Sequence, residues 1–117
     1  MSDPAELALV VTAITCRVTG SCEWDDRAAR RVRTDPDLKD FTPDGIKALL
    51  EEFVANHGGK LQQVVETRPE YSDRRFYYKA IIPVPEFKSG LFVEIVLDDD
   101  DPELPAVRLV NAHEQTR

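Results

Sequence analysis

Apolar residues recur at three- and four-residue steps through the first half of the chain and at every second position through the second half. The period changes near Lys60, so helices precede strands. Asp3, Pro4 and Glu6 form a helix start: a cap, a first-turn proline and a capping-box carboxylate. Leu7, Val10, Val11, Ile14 and Val18 then make one face, with Gly20 as the expected stop. The β-branched run Val10-Val11-Thr12-Ala13-Ile14-Thr15 would also suit a strand, but the cap and the spacing favour a helix. Ser21 is placed to cap a second helix over about 22–32, with Trp24, Ala28 and Val32 on one face and Arg27, Arg30 and Arg31 pointing elsewhere. Residues 33–39 carry Asp35-Pro36-Asp37 and read as a loop.

The third helix has the strongest local signals. Thr42 caps it, Pro43 opens it, Asp44 meets the positive end of its dipole, and Phe41 is placed to staple to Ile46. Ile46, Leu49, Leu50, Phe53 and Val54 form its apolar stripe, and Asn56-His57-Gly58-Gly59 ends it. Four strands follow, near 61–67, 75–82, 91–97 and 106–112, each separated from the next by a turn signal. Connections this short join antiparallel neighbours, because a parallel crossover needs a dozen or more residues. The expectation is one α+β domain over residues 1–117: N-terminal helices over about 4–57, then a four-stranded antiparallel β-meander over about 60–113, with a helix packed on one face.

Alternation assigns Phe76, Tyr78, Ala80, Ile82, Leu91, Val93, Ile95, Leu97, Val107 and Leu109 to the face that receives the third helix. The opposite face mixes Tyr77, Ile81, Phe92, Val96 and Val110 with Lys79, Glu94 and Arg108. Cross-strand ion pairing among those three charges is the simplest reading, with the first helix or a loop covering the apolar members. A dimer interface or a functional cleft would also account for apolar groups rimmed by charge.

Composition narrows the function classes. The net charge of −7 excludes a role resting on broad attraction to a polyanion, as in histone-like or polybasic membrane proteins. Most of that charge lies in Asp98-Asp99-Asp100-Asp101-Pro102-Glu103, which has Glu103 where a calcium-binding EF-hand loop needs glycine and reads as a solvated loop. No signal sequence or membrane span is recognisable, and the cytoplasm is the expected compartment. Cys16 and Cys22 lack the spacing of a disulfide framework or a zinc site and read as buried free thiols. No metal or other cofactor is expected.

Candidate chemistry is sparse. Of the two histidines, His57 sits where a cation caps a helix C-terminus, whereas His113 lies at the end of the last strand beside Asn111 and Glu114, where a titratable group can face a cleft. There is no nucleophile elbow, phosphate-cradling glycine loop or His-x-x-x-His pair. Arg74-Arg75-Phe76-Tyr77-Tyr78-Lys79 interleaves cations and aromatics as a platform for single-stranded RNA does, leaving Tyr77 and Arg75 as the substrate-binding candidates.

Helices followed by an antiparallel meander, with a histidine ending the last strand, resemble the arrangement of the small metal-independent ribonucleases of the barnase, colicin and RelE-toxin superfamily. The resemblance spans about residues 41–115 and rests on element order. It implies RNA cleavage through the ribose 2′-hydroxyl, with His113 as acid or base, Glu94 as its complement, and Lys79 and Arg108 holding the phosphate. Such toxins are usually basic, and this chain is acidic. The competing expectation is a non-enzymatic immunity- or antitoxin-like inhibitor, or an adaptor, whose acidic side chains engage a basic protein. A homodimer paired through the second sheet face is a third.

Overall fold

The computed structural model describes residues 2–57 and 60–116. Thr42 begins helix α3 (Pro43–His57): its hydroxyl accepts from Gly45 N at 3.0 Å and its carbonyl from Ile46 N at 2.9 Å. Phe41 stacks on Phe87 of the sheet, ring centroids 5.4 Å apart, and packs against the buried cluster that contains Ile46. Gly58 and Gly59, expected to end this helix, lie outside the described residues.

Helix α1 (Pro4–Thr15) is capped by Asp3, whose side chain accepts from Glu6 N. It stops well before Gly20. The Thr15 hydroxyl bonds back to the Val11 carbonyl, and Arg17 takes a left-handed φ of 58°, so Val18 falls outside the helix and is exposed. Val10, Ala13 and Ile14 of α1 join Ile46, Leu50, Phe53 and Val54 of α3 in one buried cluster.

The sheet departs from the expected four-stranded antiparallel meander. Strands β2 (Gln62–Val65), β3 (Phe76–Val84), β4 (Phe87–Asp99) and β5 (Ala106–Glu114) pair antiparallel in sequence order. A fifth strand, β1 (Cys22–Trp24), lies parallel to β5, giving a mixed sheet of order β1-β5-β4-β3-β2. Cys22, Glu23 and Trp24 were expected to open the second helix. That helix, α2 (Asp26–Thr34), starts later and is capped by Asp25, not Ser21. A three-residue strand carries almost no periodicity of its own, and its partner Val107–Leu109 lies most of the chain away, so no local signal marks it.

The inner sheet face, with Phe76, Tyr78, Ala80, Ile82, Leu91, Val93, Ile95, Val107 and Leu109, is buried with α1 and α3 in the same cluster. Tyr78 is wholly buried there, and its hydroxyl donates to Glu6 Oε1 at 2.9 Å and accepts from Gln63 Nε2 at 2.8 Å. The tight β3–β4 hairpin needs Gly90, at φ 95°, because a Cβ there would lie 3.0 Å from the Ile82 carbonyl oxygen.

Two local features prepare the outer face. Strand β1 pairs only as far as Leu109, after which the chain turns into α2, which packs along β5. There the register between β4 and β5 shifts: Glu94 faces Asn111, but Ile95 faces Leu109. Val110 is the extra residue of this bulge, and its carbonyl accepts from Arg31 Nη2 at 2.9 Å. Among the described residues no helix is long and apolar enough to cross a membrane.

Candidate functional site

Glu94 sits mid-strand on the outer face of β4, and its side chain is only 8% exposed. A buried carboxylate needs a charged partner. Lys79 is its register neighbour, yet the ion pair comes from Arg68, whose Nη2 donates to Glu94 Oε2 at 2.8 Å. Arg68 belongs to the β2–β3 connection, residues 66–75, which folds over this part of the sheet.

The connection holds itself in place. Glu66, with its side chain 1% exposed, accepts from Arg68 Nε, Nη2 and backbone N at 2.8 to 3.0 Å. The Arg68 guanidinium lies 4.8 Å from the Tyr71 ring centroid and 4.9 Å from that of Tyr77. One guanidinium therefore serves two buried carboxylates and contacts two aromatic faces. Arg74 closes on Tyr71 as well, at 4.5 Å.

Those hydrogen bonds from Arg68 hold the Glu66 carboxyl at about 2, from an ordinary value of 4.5, against the opposing effect of burial. Glu66 and then Glu94 in turn raise the Arg68 guanidinium further above its already high value. A carboxyl held low in the folded state contributes stability above its unfolded value and loses it as pH falls through the folded one. Stability should therefore decline between about pH 4.5 and about pH 2. Chemical denaturation across that window should show a shallower decline for Glu66→Gln, which is also less stable at neutral pH. Parallel profiles would remove Glu66 as the cause.

Beside this triad lies a cleft of about 440 Å³. Its floor is Glu94, Val110 and Asn111. Arg27 and Arg31 of α2, with Asp25, line it from one side, and Arg68, Tyr71 and Arg74 of the connection from the other. Asp25 is occupied in capping α2. The side chains of Arg27, Arg31 and Arg74 form no ion pair among the described residues, and their one hydrogen bond there is from Arg31 to the Val110 carbonyl. Four guanidinium groups thus face two carboxylates in one hollow of an acidic protein.

No family model, curated protein or solved structure matches this chain.

Of the residues singled out in the sequence, Glu94 lines the cleft and Tyr77 lies under Arg68. Lys79 faces outward beside Glu94 without lining the cleft. His113 is on the same face, paired with Phe92 one row along; the two rings stack at 4.5 Å, and His113 Nδ1 is 2.8 Å from the Glu114 carbonyl oxygen. Arg108 was expected to pair with Glu94 across the sheet. It pairs instead with Asp98 at 3.3 Å and bonds the Gly20 carbonyl.

Arg75, expected at a substrate, binds Asp3 and Glu6 and ties the start of α1 to β3. Alternation places it at the strand entry, where the nearest opposite charges belong to the other face of the sheet. The thiols differ from expectation in one respect: Cys22 is buried, and its thiol is pushed up to about 12, chiefly by burial, but Cys16 is exposed. The acidic loop turns on its own carboxylates, with Asp99 accepting from Asp101 N and Asp101 from Glu103 N. Among the described residues no group of three or more His, Cys, Asp or Glu side chains is placed to hold a metal ion.

Sequence reasoning missed Arg27, Arg31, Arg68, Arg74, Glu66 and Tyr71. The available signal was the Arg27–Arg31 spacing of four, which puts both on one face of α2. Arg74 opens the cation–aromatic run of residues 74–79, of which only Tyr77 and Arg75 are sequence candidates, and Arg68, in the turn region between strands, had no signal.

Proposed function

We propose that this domain is a binding module that takes an anionic group of its ligand into the arginine-lined cleft. The observation that carries the reading is the gathering of Arg27, Arg31 and Arg74, none with a carboxylate partner among the described residues, in a chain with seven more acids than bases. Like charges held together repel one another, and an anion in the hollow relieves that repulsion with charge-assisted hydrogen bonds.

Binding is favoured over the ribonuclease alternative for a geometric reason. General acid–base cleavage needs an acid and a base within hydrogen-bond reach of one phosphate. Glu94 is engaged by Arg68, and neither His113, Lys79 nor Arg108 lines the cleft that holds it. The cleft also favours an anionic ligand over the basic partner expected of an inhibitor, since its excess charge is positive.

Titration of isotope-labelled protein with inorganic phosphate and sulfate at low salt tests this. Amide shifts should cluster at Arg27, Arg31, Arg74 and Asn111. Arg27→Ala with Arg31→Ala should weaken binding roughly a hundredfold, at about tenfold per charged hydrogen bond, with little change in melting temperature. Absence of shifts would overturn the reading, and so would metal-free RNA cleavage lost in His113→Ala, which would restore the ribonuclease alternative.

A further inference from the structure

The cleft has more than an excess of positive charge. Its two sides differ in chemistry from its floor, and the difference bears on what kind of anion fits. The sides carry the guanidinium forks. The floor carries Asn111, whose side-chain amide has no hydrogen bond among the described residues, and Glu94, whose Oε2 accepts from Arg68 while Oε1 accepts nothing among them.

A lone carboxylate carries one charge and is satisfied by a single fork, which would leave two of the three unpaired arginines without a partner. A phosphodiester also carries one charge and has two free oxygens. A phosphomonoester has three acceptor oxygens and about two charges at neutral pH, which matches three unpaired guanidinium groups. The remaining volume must hold whatever carries the phosphate, since about 440 Å³ is the size of a small-molecule site, larger than one anion fills. An acceptor carboxylate oxygen and an unpaired amide on the floor call for a carrier that supplies hydroxyl donors.

We infer that the ligand is a sugar phosphate, its phosphomonoester held by Arg27, Arg31 and Arg74 and its sugar hydroxyls bonded to Glu94 and Asn111. This rests on the anion-binding reading above and narrows it. The sugar phosphate is either free or the ribose phosphate of a nucleotide, and both present the same groups.

Calorimetry on the full chain uses ribose 5-phosphate, adenosine 5′-monophosphate, ribose, dimethyl phosphate, inorganic phosphate and sulfate. Ribose 5-phosphate should bind about tenfold or more tightly than inorganic phosphate, roughly one or two added hydrogen bonds, and ribose alone should not bind. Lowering the pH from about 7.5 to about 5 should weaken ribose 5-phosphate up to about tenfold, because its second ionisation lies near 6. The groups facing the ligand are the four arginines, Asp25, Glu94 and Tyr71. Sulfate stays doubly charged throughout and reports any titration of theirs.

Asn111→Ala should reduce the preference for ribose 5-phosphate over inorganic phosphate several-fold. Unlike substitution of Glu94, it leaves the buried carboxylates paired with Arg68. Tighter binding of the adenosine nucleotide assigns the nucleotide source, and equal or weaker binding the free sugar phosphate. Equal affinity for ribose 5-phosphate and inorganic phosphate, a pH response no steeper than that of sulfate, or preference for dimethyl phosphate would each overturn the sugar-phosphate inference and leave anion binding standing. No binding of any anion would overturn both.

Discussion

Arg68→Met is expected to destabilise the domain by about 2–4 kcal/mol, measured by chemical denaturation at neutral pH, because it leaves two buried carboxylates without their cation. The Glu66 and Glu94 side chains are 1% and 8% exposed, and Arg68 supplies the charged hydrogen bonds to both. Arg68 itself is 39% exposed, so water screens part of the interaction and the effect falls below that of a fully enclosed triad. The test lies in the combination. Adding Glu66→Gln and Glu94→Gln to Arg68→Met removes the stranded charges and should recover much of the loss, since replacing a whole buried ion group is often close to neutral. If the triple variant is no better than Arg68→Met alone, the loss comes from the missing contacts of Arg68 with Tyr71 and Tyr77 instead.

Leu50→Ala in the middle of α3 should cost about 2–5 kcal/mol, and Phe53→Ala a similar amount. Leu50 is fully buried and Phe53 nearly so, both in the cluster that joins α1, α3 and the inner sheet face. The loss combines the transfer of the deleted carbons with the cavity left behind, and a fully enclosed site has little freedom to collapse. A small domain has only about 5–15 kcal/mol in all, so either variant should show a markedly lowered denaturation midpoint. Losses under about 1 kcal/mol in both would mean that α3 does not anchor the core.

The two variants separate the faces of the sheet. Leu50 reports the inner layer, and Arg68 reports the cover over the outer one. A cleft built on that cover depends on the triad for its shape, because Arg68 and Arg74 reach it from the same short connection. Anion binding should therefore be lost in Arg68→Met even at temperatures where most of the protein is folded.

Local signals along the chain sufficed for helices α1 and α3, for the four consecutive strands β2 to β5 and for the side chains of the inner face. Each rests on short-range physics: Thr42 and Asp3 cap within three residues, and a period of two sorts Phe76, Tyr78 and Ala80 from Tyr77 and Lys79. Glu94 was legible as an outer-face charge on the same ground. Which residues meet across the chain follows from long-range packing instead. The parallel pairing of Cys22–Trp24 with β5 depends on a partner more than eighty residues away. The capture of Glu94 by Arg68 rather than Lys79 or Arg108 depends on how a turn folds back over the sheet, and pairing that close in space leaves no periodic trace in sequence. The arginine cleft has the same origin: Arg27 and Arg31 come from the side of a helix that points away from its apolar face, Arg68 and Arg74 from the connection between two strands, and only the covering of the outer face brings their charges into one hollow.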